Sequence, residues 1–207
     1  MLISSVAEHL APQQSSYAMN SPLLFGLLDG YSEDTYYEIL DVNPANQFQL
    51  DYFSRVHCKL YLPGSGQQLL AMNPDEYDTQ TKINRALVKN LQLYKNKKTH
   101  LNLIMLWDLP NYLDTRLLNE LVQFLMPHAQ NDVMLHIYIQ TRESMPGLPG
   151  HYTFQGDNKI WVENNSTHSI SCPMYYKEAL QKIMSPFVVQ KGVLLSNGLQ
   201  EYLLKRQ

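Results

Sequence analysis

Residues 36–53, YYEILDVNPANQFQLDYF, do more than any other stretch to limit the folds open to this chain. Tyr37, Ile39, Leu40 and Val42 make a short apolar run suited to a strand covered on both faces, and Asp41 closes it just before an Asn43-Pro44 turn. Residues 47–55 can then form a short helix with Leu50 and Phe53 facing inward. A buried strand that runs through a tight turn into a helix is the way an open, parallel α/β sheet begins. In such sheets ligands lie in the crevice at the carboxyl ends of the strands, so function is sought just after Asp41.

The rest of the chain extends this pattern. Residues 1–20 show no firm period and read as a loose arm or a short helix. Leu23, Leu24, Leu27 and Leu28 predict a one- to two-turn helix that stops at Gly30 and packs beside the first strand. HCKLYL, residues 57–62, predicts a second strand, parallel to the first through a right-handed crossover and ended by Pro63-Gly64. Asn73-Pro74-Asp75 opens a segment in which Ile83, Leu87, Leu91 and Tyr94 recur at helical spacing up to the basic cluster Lys95-Asn96-Lys97-Lys98. No strand-like run lies between the two.

LNLIMLWDL, residues 101–109, is the clearest buried strand, and Asp114 is placed to cap a helix with Leu117, Leu118, Leu121, Val122 and Leu125 on one face. Residues 132–141 predict another strand, with His136 as a packed residue within it. Residues 152–163 alternate around Gly156-Asp157-Asn158 like a hairpin, placed outside the sheet over its carboxyl-end rim. Pro173 starts a last helix, and residues 187–195 and 199–204 predict an antiparallel strand pair across Ser196-Asn197-Gly198. A sheet of about six or seven strands, mostly parallel, is expected, with the strand of Asp41 next to that of Asp108 because the two most apolar runs belong at the centre.

Composition removes several functional classes. A net charge of -3 with 17% charged residues offers no field for nucleic acid or an anionic membrane. The longest apolar run is far too short to span a bilayer, and the first residues carry no basic or apolar targeting pattern, so a cytoplasmic protein is expected. Cys58 and Cys172 fit neither a disulfide framework nor a zinc site, and the seven histidines form no metal-ligand spacing. Gly64-Ser65-Gly66 lacks the Lys that a phosphate cradle needs, and no Gly-x-Ser-x-Gly elbow occurs.

A mostly parallel sheet that begins strand-Asp-turn-helix and ends in an antiparallel hairpin resembles the class I S-adenosylmethionine-dependent methyltransferase fold, over roughly residues 36–204. LIMLWDLPNYL is similar to that family's fourth-strand motif, and ILDVNPAN stands where its first glycine-rich motif falls. The resemblance implies a three-layer, Rossmann-like domain over residues 36–207, with a hairpin insertion near residues 151–163 and residues 1–35 packed on it. It implies a cofactor site at Asp41, Asn43, Pro44, Ala45, Asn46, Asp108, Leu109, Asn111 and Tyr112, with Trp107 a second aromatic wall beside Tyr112. The methyl acceptor, a small molecule or a protein, is not implied.

The departures are equally specific. The three glycines expected after Asp41 are replaced by Asn43, Ala45 and Gln47, and the acid expected at the end of the second strand, where it would grip ribose hydroxyls, by Tyr61-Leu62-Pro63-Gly64. The family's third strand is not visible. Two readings follow: a methyltransferase that binds S-adenosylmethionine weakly, or a methyltransferase-like scaffold that has lost the cofactor and serves as a binding or regulatory module. A nucleotide-binding α/β domain of another family rests on fold analogy alone.

Overall fold

The computed structural model describes residues 15–72, 79–93, 99–156 and 158–207. The readings of Asn73-Pro74-Asp75, Tyr94, the basic cluster, Asp157 and the first fourteen residues lie outside them. The described chain begins with strand β1 (Ser15–Asn20) and helix α1 (Pro22–Leu28). Strand β2 (Tyr37–Asp41), helix α2 (Gln47–Phe53) and strand β3 (Cys58–Tyr61) then form the expected βαβ unit, with β2 and β3 parallel. Two helices follow, α3 (Gly66–Leu70) and α4 (Gln80–Leu91), and α4 buries Ile83, Leu87 and Leu91 as its period predicts.

Strand β4 (Leu101–Trp107) is buried along almost all of its length, and a 3-10 turn at Leu109–Asn111 follows it. Helix α5 (Thr115–Leu125) starts at the predicted cap: the Asp114 side chain accepts from the Leu117 N–H at 2.8 Å. Strand β5 (Ala129–Gln140) is longer than the apolar run within it. Next come β6 (Ser144–Pro146), the hairpin β7 (His151–Gln155) and β8 (Lys159–Asn164), and β9 (Ser169–Ser171). Helix α6 (Lys177–Ile183) precedes the closing pair β10 (Phe187–Leu194) and β11 (Leu199–Arg206).

Six strands make the central sheet in the order β10-β11-β5-β4-β2-β3. The strands of Asp41 and Asp108 are neighbours in its interior, as expected. The sheet is mixed rather than mostly parallel. It is parallel across β3, β2, β4 and β5, but β11 runs antiparallel to both β5 and β10. The reason is local: the tight turn at Ser196–Gly198, where Gly198 takes φ +87°, reverses the chain and returns it between β5 and β10. Among the described residues no strand lies beyond β3, and β10 has a register shift between Val189 and Lys191.

Three further expectations are corrected. The N-terminal arm contains a strand, β1, whose partner is β8 rather than a local segment; with β7 they form a separate three-stranded sheet. In α2 the inward position beside Phe53 is Gln49, not Leu50, which is 44% exposed. The last helix begins at Lys177, four residues after Pro173.

Helix α1 sits against β10 and β11 rather than beside β2, and a buried carboxylate holds it there. Glu201 of β11 accepts from Ser21 Oγ at 2.6 Å, Leu24 N–H at 2.9 Å and Leu23 N–H at 3.1 Å, and its Oε1 lies 3.0 Å from His136 Nε2. The Tyr138 hydroxyl donates to Ser21 Oγ at 2.7 Å. His136 is fully buried, as its mid-strand place predicts. Glu201 thus satisfies two helix-start N–H groups that have no intrahelical partner. Among the described residues no helix is long and apolar enough to cross a membrane.

Candidate functional site

The carboxyl ends of β2 and β4 meet at Trp107. Its backbone takes φ +52°, a left-handed conformation rarely adopted by a bulky residue, and two contacts hold it. The indole N–H donates to Asp41 Oδ1 at 2.6 Å, and the ring stacks on Tyr152 of the hairpin, 4.8 Å between centroids and 6° from parallel. Phe154 meets the same indole edge-on, so the hairpin is sewn into the core by its aromatic residues and also lies outside the central sheet.

Asp41 is fully buried and spent within the protein. Oδ1 accepts from Trp107 and from the Asn43 N–H at 2.8 Å, and Oδ2 accepts from the Gln49 side-chain amide. Burial pushes its pKa up to about 7 against the pull of those donors. Gln49 is inward for this reason: the α2 cap, Asn46 Oδ1 accepting from the Gln49 N–H at 2.9 Å, turns its side chain to Asp41.

Asp108 is different. It is 3% exposed; Oδ2 accepts from the Gly150 N–H at 3.1 Å, whereas Oδ1 has no hydrogen-bond partner among the described residues. Burial raises its pKa to about 7, opposed by the Gly150 N–H and the Tyr152 hydroxyl. A half-satisfied carboxyl at a strand end is costly to keep in a purely structural role.

A crevice of about 250 Å³ opens above these residues. Val42, Asn43 and Pro44 line it from the β2 turn, and Leu106, Trp107, Asp108 and Leu109 from the end of β4. Gly64, Gly66 and Gln67 line it after β3, Leu148 to His151 before the hairpin, and Asn165 after it. Gly64 takes φ +60°, and a Cβ added there would stand 3.6 Å from Pro44 Cα, so the two loops nearly touch.

Of the nine residues singled out from the sequence, Asn43, Pro44, Asp108 and Leu109 line this crevice. Asn43 also donates its side-chain amide to the Tyr152 carbonyl. Asp41 lies behind Trp107; Ala45 is exposed in the turn; Asn46 caps α2. Asn111 is buried in a scaffold role, donating to the Asp108 carbonyl at 2.7 Å and the Tyr138 carbonyl at 2.9 Å and accepting from the Gln140 N–H at 2.9 Å. Tyr112 donates to the Leu148 carbonyl at 2.9 Å and so fixes the loop before the hairpin. Sequence reasoning missed that loop. Its Pro149-Gly150 signal reads as a connector, and only the Gly150 N–H on Asp108 brings it to the site.

Neither a protein-family model nor a curated protein sequence matches this chain. Solved structures do. A SAM-dependent methyltransferase from Aquifex aeolicus superposes with a TM-score of 0.50 at 15% identity, over 91% of this chain and 91% of that one. The PH0226 protein from Pyrococcus horikoshii OT3 gives 0.49 at 8% identity, over 90% and 88%. The pyocyanin biosynthetic protein PhzM gives 0.47 at 9%, over 88% of this chain and 52% of that one, so the chain spans about half of PhzM. The Aquifex likeness, over nearly all of both chains, defines the fold as class I S-adenosylmethionine-dependent methyltransferase-like. At 15% identity it defines the fold alone.

Proposed function

We propose that this chain is an S-adenosylmethionine-dependent methyltransferase-like protein whose cofactor enters the crevice at Asp108 and is held chiefly by its methionine end. The observation that carries this reading is the buried, unpartnered Asp108 Oδ1 in the wall of a crevice between adjacent parallel strand ends. That oxygen suits a ligand ammonium, and the Asn43-Pro44 turn and Leu109 supply the neighbouring wall. When bound, the cofactor supplies an electrophilic methyl group on a sulfonium. The chain contributes position and a site partly closed to water rather than a catalytic dyad.

The adenosine end fits less well. Leu62-Pro63 follows β3 where a ribose-gripping acid would be needed, and the loss of such a charge-assisted pair is worth on the order of 2–4 kcal/mol, or about 30- to 1000-fold in affinity. Calorimetric titration should therefore find S-adenosylmethionine binding near millimolar, tightened by Leu62→Asp. The second reading, a scaffold that binds no cofactor, rests on that missing acid and on the replacement of the glycines after Asp41. Absence of binding by both the unmodified protein and Leu62→Asp decides for the scaffold.

A further inference from the structure

We propose that the groove between helix α1 and the last strand pair is a second ligand site, and that it takes the anion of a single-chain aliphatic carboxylic acid. The groove has a volume of about 200 Å³ and shares no lining residue with the crevice at Asp108. Leu23 and Leu27 of α1 form one wall, Met134 of β5 and Leu203 of β11 the floor, and Gln190 and Lys191 of β10 the opposite wall. Leu23 and Leu27 stand one helical turn apart, and with Met134 they are only half-buried, so an aliphatic stripe is left uncovered. Glu201 anchors the start of α1 through the Leu23 and Leu24 N–H groups, which holds this wall in place before any ligand arrives.

The polar side of the groove comes from the irregular register of β10. Val189 pairs with Leu204 and Lys191 with Leu203, so Gln190 is the extra residue of a bulge. Consecutive side chains of a regular strand point to opposite faces; the bulge lets Gln190 and Lys191 line one groove. Lys191 lies directly opposite Leu203, at the edge of the apolar floor, and has no ion-pair partner among the described residues. The lining holds no acid, and Glu201 beneath α1 is already met by four partners. One cation and one amide donor beside an aliphatic stripe match a carboxylate head with an alkyl tail. An alkyl cation would meet Lys191 with like charge, and an anion without a tail would leave the stripe uncovered. Gly26 keeps the groove open: it belongs to the lining, and a Cβ added there meets no atom within 4 Å.

The test follows the Met134 methyl signal in the full chain labelled at its methionine methyl groups, the signal being identified by its loss in Met134→Leu. Near neutral pH, sodium octanoate below its micelle concentration should shift this signal at a concentration about fivefold lower than octylammonium chloride, equivalent to about 1 kcal/mol, the upper end for an exposed ion pair. Sodium acetate should leave the signal in place. Lys191→Glu should reverse the order of the two amphiphiles, and Gly26→Leu, which fills the groove, should remove the response to both. Lys191 is exposed and a side chain at position 26 enters open space, so both variants should keep the thermal unfolding of the unmodified protein.

Equal titration by octanoate and octylammonium, or an octanoate preference that survives Lys191→Glu, overturns the proposal. So does an octanoate response that persists in Gly26→Leu. A Met134 signal that moves with protein concentration and not with octanoate would make the groove a contact between copies of the chain, and overturns it as well.

Discussion

Glu201 can be removed on paper and the consequence worked through. Its carboxylate is wholly buried and meets the Ser21 hydroxyl, the Leu23 and Leu24 N–H groups and His136 Nε2. His136 Nδ1 has no hydrogen-bond partner among the described residues while Nε2 faces the carboxylate, so all four groups act as donors aimed at one ion. Glu201→Ala leaves them buried and unanswered. Breaking a buried charged network in this way costs about 3–5 kcal/mol, and filling the space with Leu does not help, because the two backbone N–H groups cannot be mutated away. Ser21→Ala loses one bond and leaves the Tyr138 hydroxyl without its acceptor, for about 1–2 kcal/mol. In a chain of this size each kcal/mol lowers the melting temperature by about 2–4 °C, so Glu201→Ala should fall by roughly 6–20 °C and Ser21→Ala by a few degrees. Urea unfolding at pH 7 with thermal scans of the same samples would measure both. A Glu201→Leu protein as stable as the unmodified one would refute the argument that α1 is held by this carboxylate.

Acidity should act in two opposite senses. Asp41 and Asp108 have folded pKa values near 7 against an ordinary 3.8, so their contribution is full at low pH and is lost as pH rises through about 7. Glu201 is shifted down, so its contribution is lost as pH falls below its ordinary 4.5. The urea midpoint should therefore be higher at pH 5.5 than at pH 8, and the reverse order would contradict the burial of the two aspartates. Trp107→Phe keeps a ring against Tyr152 but takes one of two donors from Asp41 Oδ1, and should cost about 1–3 kcal/mol in denaturant titration. Asn111→Ala removes three hydrogen bonds, one within the β4 turn and two that join it to β5, and should cost about 2–4 kcal/mol, with faster amide exchange at Gln140.

The parts of the fold legible in the sequence are those whose signal is local. The apolar runs of β2 and β4, the Asp114 cap and the Asn197-Gly198 turn each state their own structure. Strand β1 does not, since Ser15–Asn20 has Met19 as its one buried apolar side chain and owes its conformation to β8. Helical period alone cannot separate Leu50 from Gln49, because the choice is made by Asp41. The site follows the same division. Asp108 and the β2 turn stand out as strand-end signals, while the roles of Asn111, Asn46 and Tyr112 emerge only from where their hydrogen bonds end.

The irregular register in β10 reaches beyond the fold itself. A last strand with an even row of free N–H and C=O groups is a template on which a second molecule can add its own strand, and repeated addition builds aggregates. Here the row is broken between Val189 and Lys191, and a solvent-exposed lysine stands at the break. At the opposite margin β3 is four residues long and runs into Pro63, whose ring nitrogen has no hydrogen to offer. Both margins of the central sheet thus discourage intermolecular strand pairing, a protection that matters most in a crowded or partly unfolded population.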